Sequence, residues 1–483
     1  MELKKSIFIG VCALGVIGVS YAVYWDYMRR NDPEFRKNLT KRKKAAVEDA
    51  KVKAADFLRK AVEEVAKETF PADVTTREKY FMEQVAKGES LFGNGEDGYL
   101  DAALCFYKAL KVYPNPVELI MIYQKTVPET VFNFVYEMMS LEVKKKQAEY
   151  FENFPPREMN VRIKEASQGS SDEHARRGLF VTKDFFPGDV IFKEQPIASA
   201  LDPSLEVGFQ SNTGDYCSYC LKELTKESFR EETDLFEAVY CSKNCREKAT
   251  NEYAALLFTS SDSPDPESKE ARLVELVKSG NVKFPLMIAR FLAKMVHEET
   301  QKVATGVEEE YTTWDHVERL RFLTVPSTDK EAREIKLLRD LFAAKVPGME
   351  EFISEERYLM LKGKLMYNAY GISTSRDNEK NIRENTEETI RSSKPPVIGA
   401  GFYRIASYIN NSCDPNTETK FLNKNSELSI VATKHIKAGD ELTISYIRTE
   451  NKDVKSRRDE LEAKWRLRCE CTKCQSESEE STV

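Results

Sequence analysis

The chain has 483 residues, 73 Lys and Arg against 80 Asp and Glu, and a formal net charge of −7. That length exceeds one ordinary domain and points to two to four compact units. The mildly acidic balance gives no electrostatic reason to expect a nucleic-acid partner.

Residues 6–25, SIFIGVCALGVIGVSYAVYW, form an uncharged apolar run of the length needed to cross a bilayer as a helix. Tyr21, Tyr24 and Trp25 cluster at its end, where aromatic rings favour the membrane interface. A basic block, RRNDPEFRKNLTKRKK, follows, and the positive-inside rule then places the rest of the chain in the cytosol. The expectation is a single-pass anchor, with residues 1–5 as a short tail on the far side and residues 26–75 as a basic helical stalk.

Residues 76–145 show helical apolar spacing, broken by the turn signals GNGEDG and YPNP. This predicts a small all-α, TPR-like unit that needs extra helices or leaves an apolar groove open. Anchor, WDYMRRNDPEFRKNL and helical unit together resemble the small presequence receptor of the mitochondrial outer-membrane translocase, the TOM complex. The resemblance implies an outer-membrane location and a shallow groove for amphipathic targeting helices. Partners would be mitochondrial targeting peptides or translocase subunits. By position, the groove residues would be Phe81, Met82, Val85, Phe92, Ile122 and Tyr123, with Glu78 and Glu89 facing the basic side of the peptide. A family acidic position beside Glu89 is Ser90 here.

The second half changes character. RGLFVTKDFFPGDVIFKE, residues 177–194, reads as strand, Pro-Gly turn, strand. The same pattern returns as ELSIVATKHIKAGDELTISY, residues 427–446. Two such pieces far apart imply one β-rich domain with insertions. Residues 214–258 carry CSYC and YCSKNC, and residues 259–397 are mostly helical by periodicity. The ten cysteines fall largely in C-x2-C, C-x3-C and C-x-C-x2-C sets, which suit structural zinc in a reducing compartment better than disulfides.

These pieces, with YINNSCDPNTE at residues 408–418 and CECTKC at residues 469–474, resemble in order the SET methyltransferase family in its SET–MYND branch. The fold expectation is α+β: the transmembrane helix, the all-α unit, then a β-rich SET fold with zinc-finger and helical insertions. Residues 157–213 and 398–448 would form the two SET parts, residues 455–476 a post-SET zinc segment and residues 477–483 a tail. The resemblance implies S-adenosylmethionine as cofactor, a lysine-bearing protein substrate and Tyr446 as the catalytic hydroxyl. Arg177, Gly178 and Leu179 would line the cofactor cradle through the main chain, with Asn410 and Asn411 beside it. Cys217, Cys220, Cys241 and Cys245 would hold one zinc in a MYND-like finger. Cys469, Cys471 and Cys474 would hold a second, with Cys413 as the fourth ligand that the family implies.

Two positions depart from the family. Arg176 stands where the first glycine of Gly-x-Gly is usual, and Asn411 stands where histidine is usual. They keep open a second reading, an import receptor whose SET part is a non-catalytic, zinc-stabilised scaffold.

Overall fold

The computed structural model describes residues 33–480, apart from residues 72, 94, 167–175, 206–215, 225–230, 233–237, 259–267, 281, 307–309 and 374–396. The apolar run at residues 6–25 therefore lies outside the described residues. No described helix is long and apolar enough to cross a membrane. The chain divides into two compact units, Met1–Glu152 and Asn153–Val483.

The first unit is helical: α1 Pro33–Val65, α2 Val74–Phe92, α3 Tyr99–Val112, α4 Pro116–Thr126 and α5 Glu129–Asn153. Asp73 caps α2 by accepting from Thr76 N, and Asn115 caps α4 by accepting from Glu118 N. The core gathers Ala102, Phe106, Tyr107 and Leu110 of α3 against Val131, Val135 and Met138 of α5. Leu58, Ala61, Val62 and Val65 of α1 join it. The end of the expected stalk is thus part of this core, because four small and branched apolar residues at helical spacing give α1 a face to bury.

The second unit mixes strands and helices. Its strands are β1 Val161–Glu165, β2 Arg177–Val181, β3 Val190–Glu194, β4 Ala198–Leu201, β5 Glu231–Glu232, β6 Val239–Tyr240, β7 Tyr370–Ser373, β8 Val397–Phe402, β9 Asn410–Asn411, β10 Thr417–Lys420, β11 Leu428–Ala432 and β12 Thr443–Ile444. They form five small sheets: β1-β2, β10-β11-β3, β12-β9, β4-β8-β7 and β5-β6.

The two β pieces distant in sequence do come together. β3 pairs with β11 antiparallel. Phe185 and Ile436 exchange backbone bonds, and Leu442 N donates to Leu179 O at 2.7 Å. β11 is buried along its whole length, and β3 buries Ile191, Phe192 and Glu194.

Between them lie α6 Lys243–Ala249, α7 Lys269–Gly280, α8 Phe284–Thr305, α9 Thr313–Glu318, α10 Asp329–Ala343, α11 Met349–Phe352 and α12 Glu355–Asn368. The segment expected to be a helical insertion, residues 259–397, includes β7, which pairs with β8 and so belongs to a sheet. The signal was too short to read: YGIS is four residues with no alternation of polar and apolar side chains. The chain closes with α13 Val454–Trp465 and α14 Thr472–Glu480, the latter reaching into the expected tail.

Candidate active site and metal centres

The stretch YINNSC is positioned from below by a buried carboxylate. Glu194, at the end of β3, accepts the backbone N–H groups of Arg404, Ile405 and Ala406 at 2.7, 2.9 and 3.0 Å. Burial pushes its carboxyl above the ordinary range, although Arg404 and the three amides oppose the shift. These bonds fix the turn that feeds β9. β9 then lies parallel to β12, with Asn410 opposite Thr443 and Asn411 opposite Ile444.

Asn410 is committed at both ends. Its Oδ1 accepts from Arg176 Nε at 2.8 Å, and its Nδ2 donates to Arg177 O at 3.1 Å and Glu441 Oε1 at 2.6 Å. Gly178 is pressed against the same group: a Cβ there would stand 2.3 Å from Glu441 Oε1 and 2.9 Å from Asn410 Nδ2. Arg177, Gly178, Leu179 and Asn410 are therefore brought together at one place, with Arg176 and Glu441 as added members. The Arg176 side chain bonds into this group, and its Nη2 is buried with no hydrogen-bond partner among the described residues.

Asn411 serves two other groups. Its Oδ1 accepts from Tyr446 N at 2.9 Å, and its Nδ2 donates to Cys469 Sγ at 3.4 Å. Tyr446 is buried, donates its hydroxyl to Ile409 O at 2.7 Å, and packs on Trp465 with ring centroids 5.5 Å apart. Tyr446 thus presents a phenol oriented by one backbone carbonyl, Ile409 O.

Eight cysteines form two sets of four whose sulfurs lie within 4.8 Å of one another: Cys217, Cys220, Cys241 and Cys245, and Cys413, Cys469, Cys471 and Cys474. Tetrahedral thiolates about 2.3 Å from an ion stand about 3.8 Å apart. Cys220–Cys241 and Cys241–Cys245 are 3.5 Å, Cys413–Cys469 is 3.8 Å and Cys413–Cys474 is 3.5 Å. Within each set the crowded thiols split. Bonds among them push Cys217 and Cys413 up, and pull Cys245 and Cys471 down. Donor type, count and spacing fit a soft divalent ion such as zinc. Among the described residues each region holds one such cluster.

Of the residues expected in the peptide groove, Met82 and Ile122 are exposed, at 60% and 42%. Phe81, Val85 and Phe92 are partly buried against the core. Tyr123 is only 3% exposed, with its ring 5.0 Å from that of Phe106 and its hydroxyl on Phe106 O. Tyr123 is thus packed in the core, whereas the resemblance, carried over by position, had implied it for the groove. Glu78 and Glu89 are exposed.

Sequence reasoning missed Glu194, Glu441, Arg457 and Trp465. Glu194 and Glu441 each stand inside a strand-turn-strand motif, at the end of GDVIFKE and within GDELTISY; Arg457 and Trp465 stand in neither.

The chain thus combines a helical unit that exposes apolar side chains with a β-containing unit that holds two four-cysteine clusters, one of them linked through Asn411 to Tyr446. The family comparisons agree. The profile described as MAS20 protein import receptor matches residues 7–152, and the SET domain profile matches residues 176–447. The mitochondrial import receptor subunit tom20 of Neurospora crassa is 41% identical over 137 residues, 27% of this chain and 75% of that protein. A SET and MYND domain-containing protein of Dictyostelium discoideum is 29% identical over 297 residues, 59% of this chain and 77% of its own length. The human protein-lysine N-trimethyltransferase SMYD5 is 23% identical over 371 residues, covering 64% and 85%. The chain belongs to the MAS20 import-receptor family through its first unit and to the SET-domain family through its second.

Proposed function

We propose that the chain is a protein-lysine methyltransferase tethered to the mitochondrial outer membrane by residues 6–25. Its receptor unit would gather targeting peptides or translocase subunits and so raise their local concentration. The observation that carries this reading is convergence: residues 176–178, 410–413, 441–446 and 469–474 are joined by direct hydrogen bonds. When bound, S-adenosylmethionine supplies an electrophilic methyl group. Around it the main chain at Arg177, Gly178 and Leu179 forms the wall, Asn410 and Glu441 hold that wall's shape, and Asn411 orients Tyr446. The Tyr446 oxygen, fixed by Ile409 O, serves a neutral lysine amine by hydrogen bonding without adding charge. The two cysteine sets hold zinc, one in a MYND-like finger and one pinning α14.

The likeness to a named lysine trimethyltransferase over most of that protein's length supports the chemistry, and the likeness to import receptors supports the location. Exposed Met82 and Ile122 offer apolar contacts for an amphipathic helix, with Glu78 and Glu89 for its basic face. Titration of the full chain in detergent with S-adenosylmethionine tests the enzyme half. Saturation below about 1 mM is expected, together with labelled methyl transfer to outer-membrane proteins that Tyr446→Phe abolishes. A presequence peptide titrated against Met82→Ser and Ile122→Ser tests the receptor half, and imaging a fusion of residues 1–60 tests the address.

The import-receptor reading with a non-catalytic scaffold draws on one observation, the engagement of Asn410 by Arg176, Arg177 and Glu441. Absence of cofactor binding in the same titration would favour it.

A further inference from the structure

Asn411 belongs to a closed ring of contacts. Its amide meets Cys469 Sγ at 3.4 Å, and its carbonyl receives Tyr446 N at 2.9 Å. The Tyr446 ring packs on Trp465, the last residue of α13. From α13, Arg457 Nη2 reaches Cys474 Sγ at 3.6 Å, and Arg458 bonds to Cys469 O and Cys474 O at 3.2 and 3.3 Å. Cys469 and Cys474 each meet Cys413 Sγ, which closes the ring. Tyr446 is therefore held from two sides by groups that themselves rest on one thiol cluster. Asn411 is 9% exposed and its amide oxygen and nitrogen bond to different segments, so it has little freedom to serve one partner without the other.

We infer that Asn411 is a positioning residue that makes the placement of Tyr446 depend on metal occupancy of the Cys413, Cys469, Cys471 and Cys474 site. An N–H donated to a metal-bound thiolate is charge-assisted and stronger than one donated to a neutral thiol. Loss of the ion removes that anchor, releases the Asn411 amide and slackens its hold on Tyr446 N. The Cys217, Cys220, Cys241 and Cys245 site has no part in the ring, so its occupancy leaves Tyr446 in place. Cysteine clusters that staple a fold need no such link. Here the link passes through one uncharged side chain that can be changed without touching a ligand. The functional consequence rests on reading Tyr446 as the hydroxyl at methyl transfer.

A double-mutant cycle on the full chain in detergent tests it, with S-adenosylhomocysteine as the probe. Cys474→Ser and Asn411→Ala are each expected to weaken binding about tenfold or more. The double variant should be no weaker than Cys474→Ser within about twofold, because both break one linkage. Losses that multiply would overturn the inference, and so would an equal loss in Cys220→Ser. A second readout needs no ligand: the rate at which a chromogenic chelator extracts zinc. Asn411→Ala and Asn411→Asp should each speed release of one ion of the two, by severalfold. Asp keeps the acceptor for Tyr446 N while losing the donor to sulfur, so it isolates the bond to Cys469. Release at the unaltered rate in both variants would overturn the inference. If the unaltered chain binds no S-adenosylhomocysteine, the methyltransferase reading fails, while the release rates still decide the role of Asn411.

Discussion

Gly178 and Glu441 approach so closely that a single added carbon on Gly178 would lie 2.3 Å from Glu441 Oε1. Glu441 is not free to retreat, since it accepts from Asn410 Nδ2 at 2.6 Å. Gly178→Ala is therefore expected to break that bond and to destabilise the fold by about 1–3 kcal/mol, the usual range for overpacking. Binding of S-adenosylmethionine should fall with it. Removing the obstacle should relieve the strain: in urea unfolding followed by tryptophan emission, Gly178→Ala with Glu441→Ala should lose less than the sum of the two single changes. Additive losses would show that the contact is not what constrains Gly178.

The same contact illustrates what was legible in the sequence. The glycine and the two flanking motifs could be read, because the turn chemistry and the strand pattern are local. Their meeting could be expected only from the resemblance, and the bond from Arg176 to Asn410 not at all, since it depends on where a flexible side chain points. Cysteine spacing located seven of the eight clustered thiols; the C-x-C-x2-C set called for a fourth donor, and only the resemblance pointed to Cys413. Asn411 was legible as a departure from the family and, by the resemblance, as a residue beside the cofactor. Its work is defined by Cys469 and Tyr446, which flank it in space from two other segments. Tyr123 shows the reverse case, a residue that the resemblance placed in the groove by position and whose ring packs on Phe106 in the core.

Metal analysis should find two zinc ions per chain. Each single Cys→Ser change in either set should lose one, and a count that does not fall stepwise would separate the clusters from metal binding. The C-terminal site carries a further requirement. Four thiolates around a divalent ion leave two net negative charges, and Arg457, 1% exposed, places Nη2 3.6 Å from Cys474 Sγ and 2.7 Å from Glu477 Oε2. Arg457→Met keeps the bulk and removes the compensating charge, so competition with a chelator should show about tenfold weaker retention of one ion. Lys at this position should not restore it, since it lacks the planar fork that also reaches Lys452 O.

In the receptor unit the comparable tight contact is between α2 and α3. A Cβ on Gly88 would stand 2.9 Å from Phe106 Cζ. Phe106 is 1% exposed and lies between the rings of Phe92 and Tyr123, so it has nowhere to move. Gly88→Ala should cost about 1–3 kcal/mol. Because exposed Met82 and Glu89 sit on the same helix, presequence-peptide affinity should weaken too. Unchanged affinity alongside a lower melting temperature would mean that the displaced part of α2 does not contact the peptide.

His316 gives the β unit a defined response to acid. It is 4% exposed, with its ring 4.5 Å from that of Phe154 and 6.2 Å from that of Tyr311. Burial pushes its pKa down to about 3, with Arg404 and Arg319 adding to the shift and Asp315 opposing it. In the unfolded chain the imidazole takes a proton near its ordinary value of 6.5, while in the fold it stays neutral. The unfolded state therefore binds more protons between those values, and stability falls as the pH drops through that window. Full ionisation on one side only corresponds to about 1.4 kcal/mol for each pH unit. His316→Gln cannot take up that proton. The difference in unfolding free energy between the two proteins should hold constant above about pH 7 and should shift in favour of the variant with each step below 6.5. Parallel profiles down to pH 4.5 would show that His316 is protonated in the folded chain.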